Sequence, residues 1–275
     1  MRLAFFGDVM GRSGRTVLLE HLPRLRRRLK LDFVAVNAEN AAGGFGITEN
    51  ICDALFEAGA DVITTGNHAF DQRDEISLFD EEQRLLRPAN FPSDNPGRGA
   101  SMISVGGDRH VLVVHLHGQL FMAPMDDPVP ALERELGGVS LGRDVHAIIV
   151  DMHAEASSEK YALAHYLDGR ASLVVGTHTH VPTADAQILP GGTAFQSDLG
   201  MCGDYDSVIG MEKSGPISRF VSKMPGNRLQ PAAGPGTACG VFVITDDTTG
   251  LATHIEPIRV GGRLITSQPA PIDYA

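Results

Sequence analysis

The chain has 275 residues, 43% of them apolar and 21% charged, so it can bury a sizeable core and is neither disordered nor fibrous. A formal net charge of −11 excludes a general nucleic-acid binder, because phosphate backbones demand clustered Lys and Arg. Three cysteines without CxxC spacing (Cys52, Cys202 and Cys239) argue against a disulfide framework, and no apolar run reaches the ~18 residues of a membrane helix, so we expect a cytoplasmic protein with no membrane partner.

In chain order, Leu3-Ala4-Phe5-Phe6 reads as a strand, too short for a signal-peptide core. Leu18, Leu22, Leu25 and Leu29 follow at helical spacing, with Ser13 the expected N-cap and Arg24, Arg26, Arg27, Arg28 and Lys30 on a solvated face. Phe33 to Val36 is a second strand. The loop Gly43-Gly44-Phe45-Gly46 leads to a helix capped by Thr48, and Val62 to Thr65 is a third strand. Arg87 to Arg98, with Pro88, Pro92 and Pro96, is a loop and not a domain boundary. Val111–Val114, Ala147–Val150 and Leu173–Val175 are β-rich runs of the buried kind, with a helix from about Ser157 to Leu167 between the last two. Beyond Ala184 the pattern turns antiparallel: a hairpin around Pro190-Gly191-Gly192, then two strands joined by Asp247-Thr248-Thr249-Gly250. The expected architecture is α/β, a layered α-β-β-α sandwich with mixed sheets, in a single domain spanning 1–275.

Chemistry-bearing residues follow the strands: Gly7-Asp8, Asn37-Ala38-Glu39-Asn40, Gly66-Asn67-His68, Asp151-Met152-His153 and Gly176-Thr177-His178-Thr179-His180. Ligands of open α/β sheets bind beyond the carboxyl ends of the strands, so these residues are expected to meet in one cleft. Each has a plainer reading alone: Asp8 as a helix cap, Asn67 as a turn residue, His153 as a core histidine. Jointly they offer O and N donors without sulfur, too many for one tetrahedral zinc and suited to two metals about 3.5–4 Å apart. Such a charge surplus would draw a phosphodiester to an acidic protein.

These motifs resemble the calcineurin-like metallophosphoesterases, except that Met10 replaces the histidine of the usual Asp-x-His and Glu39-Asn40 replaces the usual Asp. Both departures, and the stretches GDVMGRSGR, NAENAAGGFGIT, TTGNHAFD, VDMHAEASSEK, GTHTHVPTAD and SDLGMCGDYDSVIG, resemble the YmdB-like phosphodiesterases over nearly the whole chain. The resemblance implies a dinuclear centre, of iron most often with manganese or zinc as alternatives, hydrolysing 2′,3′-cyclic nucleotides. It implies Asp8, Glu39, Asn40 and His180 on one metal, and Glu39, Asn67, His153 and His178 on the other. His68 would protonate the leaving oxygen, with Asp71 able to orient it.

Arg12, and Arg15 beside it, would be phosphate contacts at the first helix or plain surface charge. Phe45 would stack on a base. His115 and His117 form a second HxH, expected at the strand end or pocket rim, with direct substrate contact as the sharper alternative. Asp151 and Glu155 are expected to support His153 without ligating, and Cys202 to pack. The partner is thus a small phosphodiester or nucleotide, and a homo-oligomer is compatible with this reading. Three alternatives stand beside it: a phosphomonoesterase or protein phosphatase of the same fold, a regulatory protein that binds metal and nucleotide with little turnover, and an amidohydrolase barrel. The barrel is disfavoured because its HxH normally ends the first strand.

Overall fold

The computed structural model describes residues 1–226 and 228–270; the last five positions of the expected 1–275 domain lie outside them. In chain order the elements are β1 (Arg2–Phe6), α1 (Gly11–Leu29), β2 (Phe33–Asn37), α2 (Glu49–Glu57), β3 (Val62–Thr64), α3 (Leu78–Glu81), β4 (Leu85–Leu86), β5 (Ala100–Ser104), β6 (His110–His117), α4 (Pro128–Leu136), β7 (Ala147–His153), α5 (Ser157–Tyr166), β8 (Leu173–Thr177), β9 (Gln187–Ile188), β10 (Ala194–Gln196), α6 (Ser214–Ser222), β11 (Thr237–Thr245) and β12 (Ala252–Gly261).

The strands form two six-stranded sheets, in the orders β12-β11-β1-β2-β3-β4 and β5-β6-β7-β8-β10-β9. In the first, β1 to β4 are parallel and β11 is antiparallel to both neighbours. In the second, β6, β7, β8 and β10 are parallel, flanked by antiparallel β5 and β9. Both sheets are therefore mixed. The hairpins expected beyond Ala184 are β9–β10 and β11–β12.

Side-chain alternation sorts each strand into two cores. Leu3 and Phe5, Phe33 and Ala35, Val111 and Val113, Ala147 and Ile149, and Leu173 and Val175 meet between the sheets. Their neighbours Ala4, Phe6, Val34 and Val36 face outward onto the apolar stripes of α1, α2 and α3. Leu112, Val114, Ile148, Val150 and Val174 do the same against α4 and α5. The result is the α-β-β-α sandwich.

Helix starts differ from expectation. The N-cap of α1 is Met10, without a side-chain hydrogen bond, and the Ser13 hydroxyl instead donates to the Gly234 carbonyl at 2.7 Å. Thr48 caps α2 in position, but its hydroxyl makes no capping bond. Of the basic run, Arg26 is not simply solvated: it is half-buried and pairs with Asp61 at 2.8 Å. The sequence signals also left α3, α4, α6 and the strands β4 and β5 unanticipated.

Phe5 is fully buried in the layer between the sheets. Phe5→Ala is expected to lower unfolding stability by about 3–5 kcal/mol, since the sheets cannot close over the void; urea unfolding followed by circular dichroism measures it.

Candidate metal centre

The alternation that builds the inter-sheet core continues past its apolar part. On the same face as Phe33 and Ala35 comes Asn37; beyond Ala147 and Ile149 come Asp151 and His153; beyond Val175 comes Thr177. The layer between the sheets thus turns polar at the carboxyl ends of the parallel strands. Asp151, fully buried, is its hub: it accepts from Thr64 Oγ1 at 2.6 Å, Thr177 Oγ1 at 2.8 Å and Asn37 Nδ2 at 3.2 Å.

Above this floor the strand-end residues meet. His153 Nε2 lies 2.9 Å from Glu39 Oε2, 3.2 Å from Asn67 Oδ1 and 3.1 Å from His178 Nδ1. Glu39, His153 and His178 bring ligand atoms within 4.8 Å of one another. A second group lies alongside: His180 Nε2 is 3.0 Å from Asn40 Oδ1. The Asp8 carboxylate accepts the His178 backbone N–H at 3.2 Å on each oxygen and stands 3.8 Å from His153 Nδ1. His178 and His180 both have positive φ, 94° and 66°. Such backbone costs about 1–3 kcal/mol per non-glycine residue and persists where the surroundings hold it.

The donor chemistry fits a cation. Thr177 donates its only hydroxyl hydrogen to Asp151, so it accepts from His153 Nδ1–H at 2.9 Å. In neutral His153 the lone pair is then on Nε2, aimed at a carboxylate oxygen, an amide oxygen and a second imidazole nitrogen. That convergence of lone pairs requires a proton or a metal ion among them. The electrostatics agree. Burial pushes Asp8 up to about 6, against the pull of His180 and His153. Burial would likewise raise Glu39, but the charge and hydrogen bond of His153 hold it below the ordinary carboxylate range. Burial would lower His153, but Glu39 and then Asp8 override it and raise the imidazole to about 9. Burial, reinforced by His153, lowers His178 to about 3, leaving a neutral nitrogen available to a cation.

His68 lies at the mouth. Its backbone N–H donates to Glu39 Oε1 at 2.9 Å and its Nδ1 meets Asp71 Oδ2 at 2.8 Å. Since an ionised carboxylate only accepts, Nδ1 carries hydrogen and Nε2 is the nitrogen left over. Phe45 sets its ring edge-on to His68 at 5.0 Å between centroids. The cleft, about 460 Å³, is lined by Glu39, Asn40, His68, His178 and His180 on one side, and by Phe45, Val208, Ile209, Met211, Pro216 and Leu229 on the other. A larger concavity, about 780 Å³, lies at the amino end of β1 against Met1, Arg2 and Asp247, with no candidate metal ligand set among the described residues.

Arg12 does not join the cleft: it is exposed and lines a separate depression with Thr16, Glu20 and His21. Arg15 donates to the Ala41 carbonyl. His115 and His117 lie at the carboxyl end of β6, as the strand-end reading expected, but not at the rim. They project from β6 into the inter-sheet layer, both fully buried, which also removes direct substrate contact. His115 Nδ1 stands 3.2 Å from Asp151 Oδ2 out of hydrogen-bond alignment, and neither ring nitrogen of His117 has a hydrogen-bond partner among the described residues. Burial lowers His117 to about 4, so it sits there neutral. Glu155 approaches His178 Nε2 at 3.3 Å, and Cys202 is buried in the core around α1. Met10, where a ligand histidine is usual, is buried against Gly210, where an added Cβ would collide with Met10 Cγ. The motifs assign Asn37, Thr64 and Thr177 no role; continuing each strand's alternation past its last apolar residue finds all three.

Comparison with known proteins settles the kinship. A family model described as YmdB-like protein matches residues 4–258. The chain belongs to the YmdB-like family. It is 45% identical over 260 residues to the 2′,3′-cyclic-nucleotide 2′-phosphodiesterase of Bacillus subtilis, covering 94% of this chain and 97% of that one. Among solved structures, a hypothetical protein from Thermus thermophilus superposes with a TM-score of 0.88 at 41% identity, covering 96% of this chain and all of its own. A novel phosphatase from Mycoplasma pneumoniae gives the same TM-score at 32% identity, covering 95% of this chain and 93% of its own. The YmdB-like fold is thus the metallophosphoesterase-like sandwich expected from the sequence.

Gly66 makes the centre sterically possible. A Cβ there would stand 2.4 Å from His153 Nε2 and 2.5 Å from Glu39 Oε1. Gly66→Ala is expected to weaken Mn²⁺ binding by at least about 100-fold while the far-ultraviolet dichroism is unchanged, read by titration calorimetry. His153 holds its proton below about 9. A cation must displace it, so apparent affinity should rise with pH up to that value, with about one proton released per site at pH 7.5. Calorimetry in buffers of different ionisation enthalpy counts that proton.

Proposed function

We propose that this protein is a metal-dependent phosphodiesterase of 2′,3′-cyclic nucleotides, working in the cytoplasm with the two sheets as one domain. The observation that carries the reading is the meeting of Glu39, Asn67, His153 and His178 around one point, beside Asp8, Asn40 and His180. The family's nucleotide-phosphodiesterase member supports the substrate class.

In this reading Asp8, Glu39, Asn40 and His180 would hold one metal ion, and Glu39, Asn67, His153 and His178 would hold a second. Iron is the first choice, with manganese or zinc also suited to these donors. When bound, the ions supply electrophilic polarisation of the phosphoryl oxygens and activation of a water nucleophile. The chain does the rest. Neutral Asn40 and Asn67 add donors without adding charge, which preserves the attraction for an anionic phosphodiester. When doubly protonated, His68 keeps Nδ1–H on Asp71 and presents Nε2–H to the leaving oxygen, giving up that proton as the P–O bond breaks and returning to the Nδ1–H ring. Phe45 and the apolar wall of Val208, Ile209, Met211, Pro216 and Leu229 take the flat face of the nucleobase and exclude water beside the reacting phosphate.

The test is hydrolysis of bis-p-nitrophenyl phosphate and of a 2′,3′-cyclic nucleotide, with Mn²⁺ and with EDTA. EDTA should abolish both. His68→Ala should cut kcat on the cyclic nucleotide by about 10²–10⁴-fold, and less on the nitrophenyl ester, whose leaving anion is stable without a proton. Equal losses on both substrates would remove His68 as donor. An inert wild type that still binds nucleotide would replace catalysis with a purely regulatory role.

A further inference from the structure

Lys160 and Asp198 form an ion pair with both side chains almost wholly inaccessible, 2.8 Å from Nζ to Oδ2. Neither residue belongs to the ligand set, and a lysine is almost never so buried without a specific reason. The Asp198 carboxylate accepts three further hydrogen bonds: from Thr179 N at 3.1 Å and Thr179 Oγ1 at 2.7 Å, both on Oδ2, and from Gly200 N at 2.8 Å on Oδ1. Thr179 is the residue between His178 and His180, the two with positive φ.

We infer that the Lys160–Asp198 pair is a positioning device that holds the His178–His180 turn in its metal-binding conformation. The inference rests on the metal centre proposed above. The carboxylate grips the turn at its midpoint, where release of Thr179 would let both flanking residues relax to negative φ and swing their imidazoles apart. The segment that carries Asp198 is tied to the other sheet as well: Cys202 N donates to Asp8 O at 2.8 Å and Met10 N to Cys202 O at 2.8 Å. Met201 N donates to His180 O at 3.1 Å and Leu199 N to Gly176 O at 3.0 Å. One strap therefore fixes the Asp8 loop and the histidine turn to each other, with the carboxylate as its anchor. Only a carboxylate has acceptor sites on both oxygens for these donors. Lys160 neutralises it, so the anchor adds no net charge beside the centre. The strand leading into the turn is shaped to the same arrangement: a Cβ on Gly176 would stand 1.8 Å from the Ser197 carbonyl oxygen and 2.6 Å from Lys160 Cδ, so only glycine lets the lysine chain and the strap lie against the end of β8.

The test compares Mn²⁺ binding by equilibrium dialysis in wild type, the double variant Lys160→Met/Asp198→Asn, and the control Arg170→Met/Glu133→Gln, which removes an exposed pair. The double variant leaves no buried charge unpaired, so it should keep a cooperative thermal transition. Its Mn²⁺ dissociation constant should rise about 10–100-fold, and in metal-free protein the Thr179 amide should exchange hydrogen faster, while the control matches wild type in both. A folded double variant with wild-type affinity overturns the inference. Should it fail to fold, Thr179→Val decides: loss of one hydroxyl bond to Asp198 should weaken Mn²⁺ several-fold, and no change overturns the inference. Wild type that takes up no Mn²⁺, Fe²⁺ or Zn²⁺ overturns the metal centre itself.

Discussion

The contact between Glu39 and His153 joins the two halves of the molecule. Glu39 follows a strand of the first sheet and His153 ends a strand of the second, so their 2.9 Å approach exists only because the sheets pack face to face. Everything chemical depends on that packing. The apolar layer contributed by Phe5, Phe33, Val113 and Ile149 sets the spacing of the sheets, and the same alternation delivers Asn37, Asp151, His153 and Thr177 into the gap where the layer ends. A hydrophobic core and a polar site are successive sections of one surface.

That arrangement has costs which the surroundings offset. Buried Asp8, Glu39 and His153 would each be unfavourable alone. Together they offset one another in part, leaving a negative excess, with the imidazole proton of His153 standing where a cation would take over. The hydroxyls of Thr64 and Thr177 and the amide of Asn37 satisfy Asp151, which fixes the Thr177 hydroxyl and through it the tautomer of His153. The positive φ values at His178 and His180 are a further cost, localised in the turn where the two candidate donors leave strand geometry.

Much of this was legible in the chain. The run Val174-Val175 followed by a histidine pair announced a buried parallel strand ending in polar residues, and the same grammar recurred at Asp8, Glu39, Asn67 and His153. Local reading misled where the same signal had two physical outcomes. His115 and His117 carry the HxH spacing of His178 and His180, yet one pair lies within a strand and points into the core, while the other lies in a turn and points at the cleft. Arg12 sits at the start of a helix near Asp8, yet faces a different depression, because helix rotation is set by which stripe the leucines bury. Lys160 falls inside the helix expected from about Ser157 to Leu167, and nothing in its neighbourhood along the chain hints at Asp198.

The sequence by itself determined most of the strands, their polar termini, the donor types and the family, because alternation, turn chemistry and motif spacing are local properties. The tertiary structure alone decided which of those donors share a point, which histidines are sealed away, and which wall of the cleft is apolar. These depend on the distance between two sheets and on the rotation of each helix, which are set by packing among residues far apart in the chain and leave no mark on any short stretch of it.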